Sequence, residues 1–85
     1  MLKTKFDAIV KSQGGAMLLF RMGDFYELYY GHAEAAAKIL GLTLTTRSNR
    51  DGSPTPMAGF PYHQVTAYTA YLVHAGFKVE IVDNA

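Results

Sequence analysis

Phe25 and Glu27 are the pair in this sequence whose types and spacing best suit a binding task. They lie in Arg21-Met22-Gly23-Asp24-Phe25-Tyr26-Glu27-Leu28-Tyr29-Tyr30, just past the apolar run Ala16 to Phe20. Side chains alternate along an extended backbone, so Phe25 and Glu27 point one way and Tyr26 and Leu28 the other. By default an aromatic in a strand is core and a strand glutamate is a solvated charge. Their shared direction changes the weighing. A buried Phe25 would draw Glu27 inward, and burying an unpaired carboxylate costs several kcal/mol. Either both stand outside, or Arg21 or another cation covers Glu27. An exposed ring beside an acceptor suits insertion between bases, the ring stacking while the carboxyl reads a base edge.

Other chemistries lack their residues. No phosphate-binding loop of glycines followed by lysine and serine or threonine occurs, and no Gly-rich dinucleotide fingerprint. His32, His63 and His74 have no metal-ligand spacing and no acidic cluster to join. The serines lack a nucleophile elbow. Asp24 and Glu27 are three residues apart, weak grounds for acid–base work. The expectation is a protein that is not an enzyme and needs no cofactor or metal.

The elements that must position the pair follow from periodicity and punctuation. Leu2, Phe6, Ile9, Val10 and Gln13 form a helical stripe that Gly14-Gly15 stops. Ala16 to Arg21 reads as a central strand, apolar on both faces apart from its last residue. Gly23 allows a bend, and Asp24 to Leu28 is extended. Gly31 to Leu40 is a helix with Ala33, Ala36, Ala37 and Leu40 on one face, ended by Gly41. Leu42 to Thr46 alternates as a strand should. Arg47 to Pro56, with two prolines and an Asp-Gly step, reads as a loop carrying Arg47 and Arg50. Met57 to Phe60 is a short strand. Pro61 opens a helix to about Ala75, with Val65, Tyr68, Leu72 and Ala75 on one stripe. Phe77 to Val82 is the last strand. The predicted fold class is α/β, a mixed β-sheet packed with about three helices.

Composition sets the outer bounds. The 85 residues suffice for one small domain, and 49% hydrophobic with 18% charged residues is enough to bury a core. The net charge of +1 gives no strong overall field for nucleic acid, so any such contact must come from local placement. Absence of cysteine removes disulfides and fits a reducing, cytoplasmic location. No apolar run approaches the roughly 20 residues that span a bilayer, so no membrane partner is expected.

Three blocks carry a resemblance. Arg21 to Leu28, then Leu42-Thr43-Leu44-Thr45-Thr46-Arg47, then Pro56-Met57-Ala58-Gly59-Phe60-Pro61-Tyr62-His63 resemble the N-terminal mismatch-recognition domain, domain I, of the MutS DNA mismatch-repair family. The order and spacing fit from about Phe6 to Val82. The resemblance implies that Phe25 is the wedge that enters the minor groove and stacks on a mispaired or unpaired base. Glu27 matches the glutamate that hydrogen-bonds that base; toward a base nitrogen carrying no proton, the carboxyl would have to supply one. Met22 and Gly23 would shape the turn that presents the wedge, and Arg47 with Arg50 falls where the family nears the DNA backbone. The implied partners are double-stranded DNA with a mismatch or unpaired base, and other MutS-type domains or a larger repair assembly.

The departures are specific. Full-length members carry connector, lever, clamp and ATPase domains, and none fits here, so ATP binding belongs to full-length members only. The expectation is one domain over residues 1–85, ending at Ile81-Val82-Asp83-Asn84-Ala85 where the family usually continues through Cys-Glu-Gln, and so lacking the family's last strand. Gly31-His32 stands where the family often has acidic residues. A second reading, a protein-interaction domain without mismatch recognition, rests on the near-neutral charge and on a sheet edge left open at that altered end.

Overall fold

The computed structural model describes residues 1–83; Asn84 and Ala85, part of the altered ending noted above, lie outside the described residues. The chain forms α1 (Lys3–Ser12), β1 (Met17–Met22), β2 (Phe25–Tyr29), α2 (Tyr30–Leu40), β3 (Thr45–Ser48), β4 (Pro54–Pro61), a 3-10 turn (Tyr62–Gln64), α3 (Val65–His74) and β5 (Val79–Val82). The five strands make one sheet in the order β3-β4-β2-β1-β5. β1 pairs antiparallel with β2 and parallel with β5, and β4 pairs antiparallel with both β2 and β3. The sheet is mixed, and the class is the α/β arrangement expected.

Helices cover both faces, which is why β1 is apolar throughout. On one face Leu18, Phe20, Tyr29 and Met57 pack with Phe6 of α1, flanked by Ile9 and Val10. On the other, Met17, Leu19, Tyr26, Leu28, Ala58 and Phe60 pack with Ala33 and Ala36 of α2 and Leu72 of α3. Alanines on α2 let its backbone lie close to the sheet. Val65 and Tyr68 of the predicted stripe do face this core, whereas Ala75 is exposed past the end of α3.

Four boundaries differ from the sequence reading. Pro61 does not open the third helix; it closes β4, and a 3-10 turn over Tyr62–Gln64 precedes α3, which starts at Val65. Leu42 to Leu44 do not join the sheet; β3 begins at Thr45 and continues through Arg47 to Ser48. The predicted loop Arg47 to Pro56 is instead a hairpin, with a turn over Asn49 to Ser53, and β4 runs for 8 residues from Pro54. The prolines misled because they remove backbone donors. They are tolerated because β2 pairs with β4 only from Met57 to Pro61, so beside Pro54 and Pro56 one flank of β4 has no strand to satisfy. The last strand starts at Val79, not Phe77.

Tyr30 joins β2 to α2 directly, with no loop, at φ +54. A non-glycine there costs about 1–2 kcal/mol. Its ring packs 5.2 Å from Phe6, and its hydroxyl donates to the Met1 carbonyl, contacts that hold the conformation. The abrupt turn ends β2 early beside β1. His32 then fills the gap: its Nδ1 accepts the Leu18 N–H at 3.2 Å, past the last β1–β2 pair at Phe20 and Glu27.

Candidate nucleic-acid interface

The β1–β2 hairpin turns through Gly23 and Asp24, with Met22 paired to Phe25 across it. Gly23 has φ +61 while Asp24 has no positive φ, the pattern of a II′ turn with glycine first. This tight turn puts Met22 and Phe25 side by side at the sheet's end. Both are exposed, Phe25 at 48%.

Register then defines the face. Phe25, Glu27 and Tyr29 alternate with the buried Tyr26 and Leu28, as strand parity requires. Beside them lie Phe20 and Met22 on β1, and Met57, Gly59 and Pro61 on β4. α1 covers only the half of this face that holds Phe20, Tyr29 and Met57. Among the described residues, no helix packs on the half holding Met22, Phe25, Glu27 and Gly59.

Glu27 sits at the boundary between the halves, its side chain 14% exposed. Two groups answer its charge. The Tyr29 hydroxyl donates to Oε1 at 2.7 Å. The Arg47 guanidinium lies 3.7 Å from Oε2, reaching across from β3, and is itself 60% exposed. A contact that long and that wet is a weak ion pair, worth about 0–1 kcal/mol. Burial, then the hydrogen bond to Glu27 and its charge, push the Tyr29 phenol well above its ordinary range, with Arg47 opposing; it remains a donor at working pH.

Arg21, the cation named first from sequence, does not cover Glu27. Its Nε donates to the Gly23 carbonyl at 2.6 Å, and its guanidinium stacks 4.5 Å from the Tyr62 ring on the opposite face. Strand parity explains this, because Arg21 alternates with Phe20 and Met22. Arg47 takes the covering role instead.

Arg50 is not brought to the same place. It occupies the β3–β4 turn beyond Pro54, whereas Phe25 pairs with Pro61 at the other end of β4. Eight residues of strand separate the ends by about 23 Å. Arg50 lines a cleft of about 480 Å³ with Met1, Leu2, Lys5, Asn49 and Asp51.

Two residues of the face escaped the sequence reading. Tyr29 could have been found by extending the alternation one more step from Glu27. Gly59 could have been found as a glycine inside a strand, which often marks close approach. A Cβ on Gly59 would meet the Tyr26 carbonyl oxygen at 3.1 Å, Glu27 Cγ at 3.6 Å and Phe25 Cδ2 at 3.8 Å. Its bare backbone is the floor beside the pair. Among the described residues no group of three or more His, Asp or Glu side chains could hold a metal ion, and no helix is long and apolar enough to cross a membrane.

Fold and face together define a small α/β domain that presents an aromatic ring and a carboxylate from a hairpin end, on the uncovered half of a sheet. The family model "MutS domain I" matches residues 2–85. The chain belongs to the MutS family, as its domain I. It is 53% identical over 71 residues to the DNA mismatch repair protein MutS of Rhodopirellula baltica, and 52% identical over 76 residues to that of Streptococcus thermophilus. These matches cover 84% and 89% of this chain but only 8% and 9% of those relatives.

Proposed function

We propose that the domain serves DNA mismatch repair by testing duplex DNA for weakened base stacking. Phe25 is the probe and Glu27 the base contact. The observation that carries this reading is the half-exposed Phe25 ring, held at a hairpin end beside Glu27 on the half of the face that α1 leaves bare.

The energetics give selectivity without a large field. Stacking a base on an aromatic ring supplies about 1–3 kcal/mol. Opening a base step costs a few kcal/mol, and less at a mismatched or unpaired base. On intact duplex the two nearly cancel, so net binding appears where opening is already cheap. Met22 widens the apolar wedge and Gly23 sets its angle. Arg47 has a weak intramolecular partner and an exposed head, so an approaching phosphate can draw it off Glu27 and free Oε2 for the base. Arg50 contacts backbone farther along the duplex. The names of the relatives support repair as the setting, with further MutS domains or a larger assembly as partners.

The test is a titration of a labelled duplex containing G·T against its matched twin at low salt. The wild-type chain is expected to favour the mismatch, and Phe25→Ala to lose about 1–3 kcal/mol on the mismatch and so the preference. Equal curves for wild type and Phe25→Ala on both duplexes would overturn the reading.

A further inference from the structure

Glu27 is the polar reader of the proposed interface, yet a carboxylate on a flexible side chain can in general offer either oxygen in many directions. Here one oxygen is spoken for. Tyr29 is only 6% exposed, and its ring is fixed 5.1 Å from Phe20 in the core beneath α1. The hydroxyl emerges from that core at Glu27 Oε1, 2.7 Å away. A phenol that is nearly buried needs a partner, and a phenol donating to a charged oxygen makes the stronger class of hydrogen bond. The anchor is rigid, unlike Arg47 on the other oxygen, whose contact is long and exposed.

We infer that Tyr29 is a positioning residue for Glu27: its hydroxyl holds the carboxylate as an oriented acceptor and so biases the face toward an unpaired base that offers an imino N–H. Thymine through N3–H and guanine through N1–H qualify. Neutral adenine and cytosine have no imino proton to give. The chemistry is simple complementarity. Tyr29 supplies a proton donor to Oε1 from below, so Oε2, once Arg47 has moved to a phosphate, is the acceptor presented above. A base donor then completes the carboxylate's partners, whereas a base acceptor would face negative charge. The inference rests on the DNA reading above, and it concerns which lesion is preferred rather than whether one is bound.

The test compares two duplexes, one with a single unpaired thymidine and one with N3-methylthymidine at that site, which has no imino proton. The 85-residue chain is titrated with each. Wild type is expected to prefer thymidine by about tenfold, the size of one charge-assisted hydrogen bond. Glu27→Ala gives the ratio that the bulk of the methyl group alone produces. Tyr29→Phe keeps the ring packed on Phe20, so the fold is retained, which a melting curve verifies. Its ratio is expected to fall by about threefold or more toward that of Glu27→Ala. In the Glu27→Ala background the same swap should change nothing further, because coupled residues are not additive. A merely structural role for the hydroxyl would lower both affinities together and leave the ratio where it was. An unchanged ratio in Tyr29→Phe, with Phe25→Ala still weakening both complexes, overturns the inference and leaves the DNA reading standing. Phe25→Ala curves identical to wild type would remove the DNA reading, and this inference with it.

Discussion

At the scale of single residues, the face depends on what is small as much as on what protrudes. Gly59 lies on β4 opposite Glu27, and a Cβ there would touch Glu27 Cγ and Phe25 Cδ2 at ordinary contact distance, so a side chain larger than methyl would crowd both members of the pair. The 3.1 Å approach of a Cβ to the Tyr26 carbonyl is the harder conflict, because that oxygen belongs to the paired backbone of β2. Gly59→Ala is therefore expected to destabilise the domain by about 1–3 kcal/mol and to displace Phe25. Denaturant melts measure the first effect, and the loss of mismatch preference measures the second. Thr55 is the counterpart on the covered half. It is buried, and its hydroxyl meets Asn49 Oδ1 at 2.9 Å and the Met1 carbonyl at 3.1 Å. Thr55→Val keeps the shape and removes one shared donor, while the N-terminal ammonium still serves Asn49 Oδ1 and the Tyr30 hydroxyl still serves the Met1 carbonyl, so the cost in a denaturant titration is about 0.5–1.5 kcal/mol.

At the scale of elements, the junction of β2 and α2 sets a pH limit on stability. His32 accepts the Leu18 N–H through Nδ1, which requires the neutral ring. Burial first, then the nearby charge of Lys3, lower its pKa below the ordinary 6.5. The unfolded chain therefore takes up a proton at a pH where the folded chain still refuses it. Stability is whole above about pH 6.5 and declines as the pH falls toward the folded value. The thermal midpoint of wild type should drop on going from about pH 7 to pH 5, and His32→Asn, whose amide oxygen can accept the same N–H, should show a smaller drop. A wild-type midpoint that is flat across that range would contradict the assignment. The β3–β4 hairpin makes a second element-level case. Gly52 turns it at φ +86, and Gly52→Ala should cost about 1 kcal/mol by strain alone.

At the scale of the whole molecule, a net charge of +1 leaves affinity to a few placed groups. The chain alone is expected to bind DNA no tighter than about 10⁻⁴–10⁻⁶ M at physiological salt, the range of non-specific contacts. If Arg47 moves to a phosphate, Arg47→Ala should weaken binding to matched and mismatched duplex alike. It should also reduce the slope of log K against log salt by about 1. The same change should spare the preference for mismatch, which belongs to Phe25.

Much of this was legible in one dimension because its causes are local. Strand parity put Phe25 and Glu27 on one face. The helical stripes named the buried sides of α1 and α2, and Gly14, Gly23 and Gly41 marked the turns, each at positive φ. The family motifs lie in the same short blocks. What only the tertiary structure decided depends on pairing between distant segments. Pro54 and Pro56 read as loop because a proline lacks a donor; they sit in a strand because β2 ends before reaching them. Arg47 rather than Arg21 meets Glu27 because β3 docks two strands away on the same face, and no spacing along the chain records that. Local sequence chose the pair that points outward, while the length of α1 and the order of the strands chose which half of the sheet stays open around it.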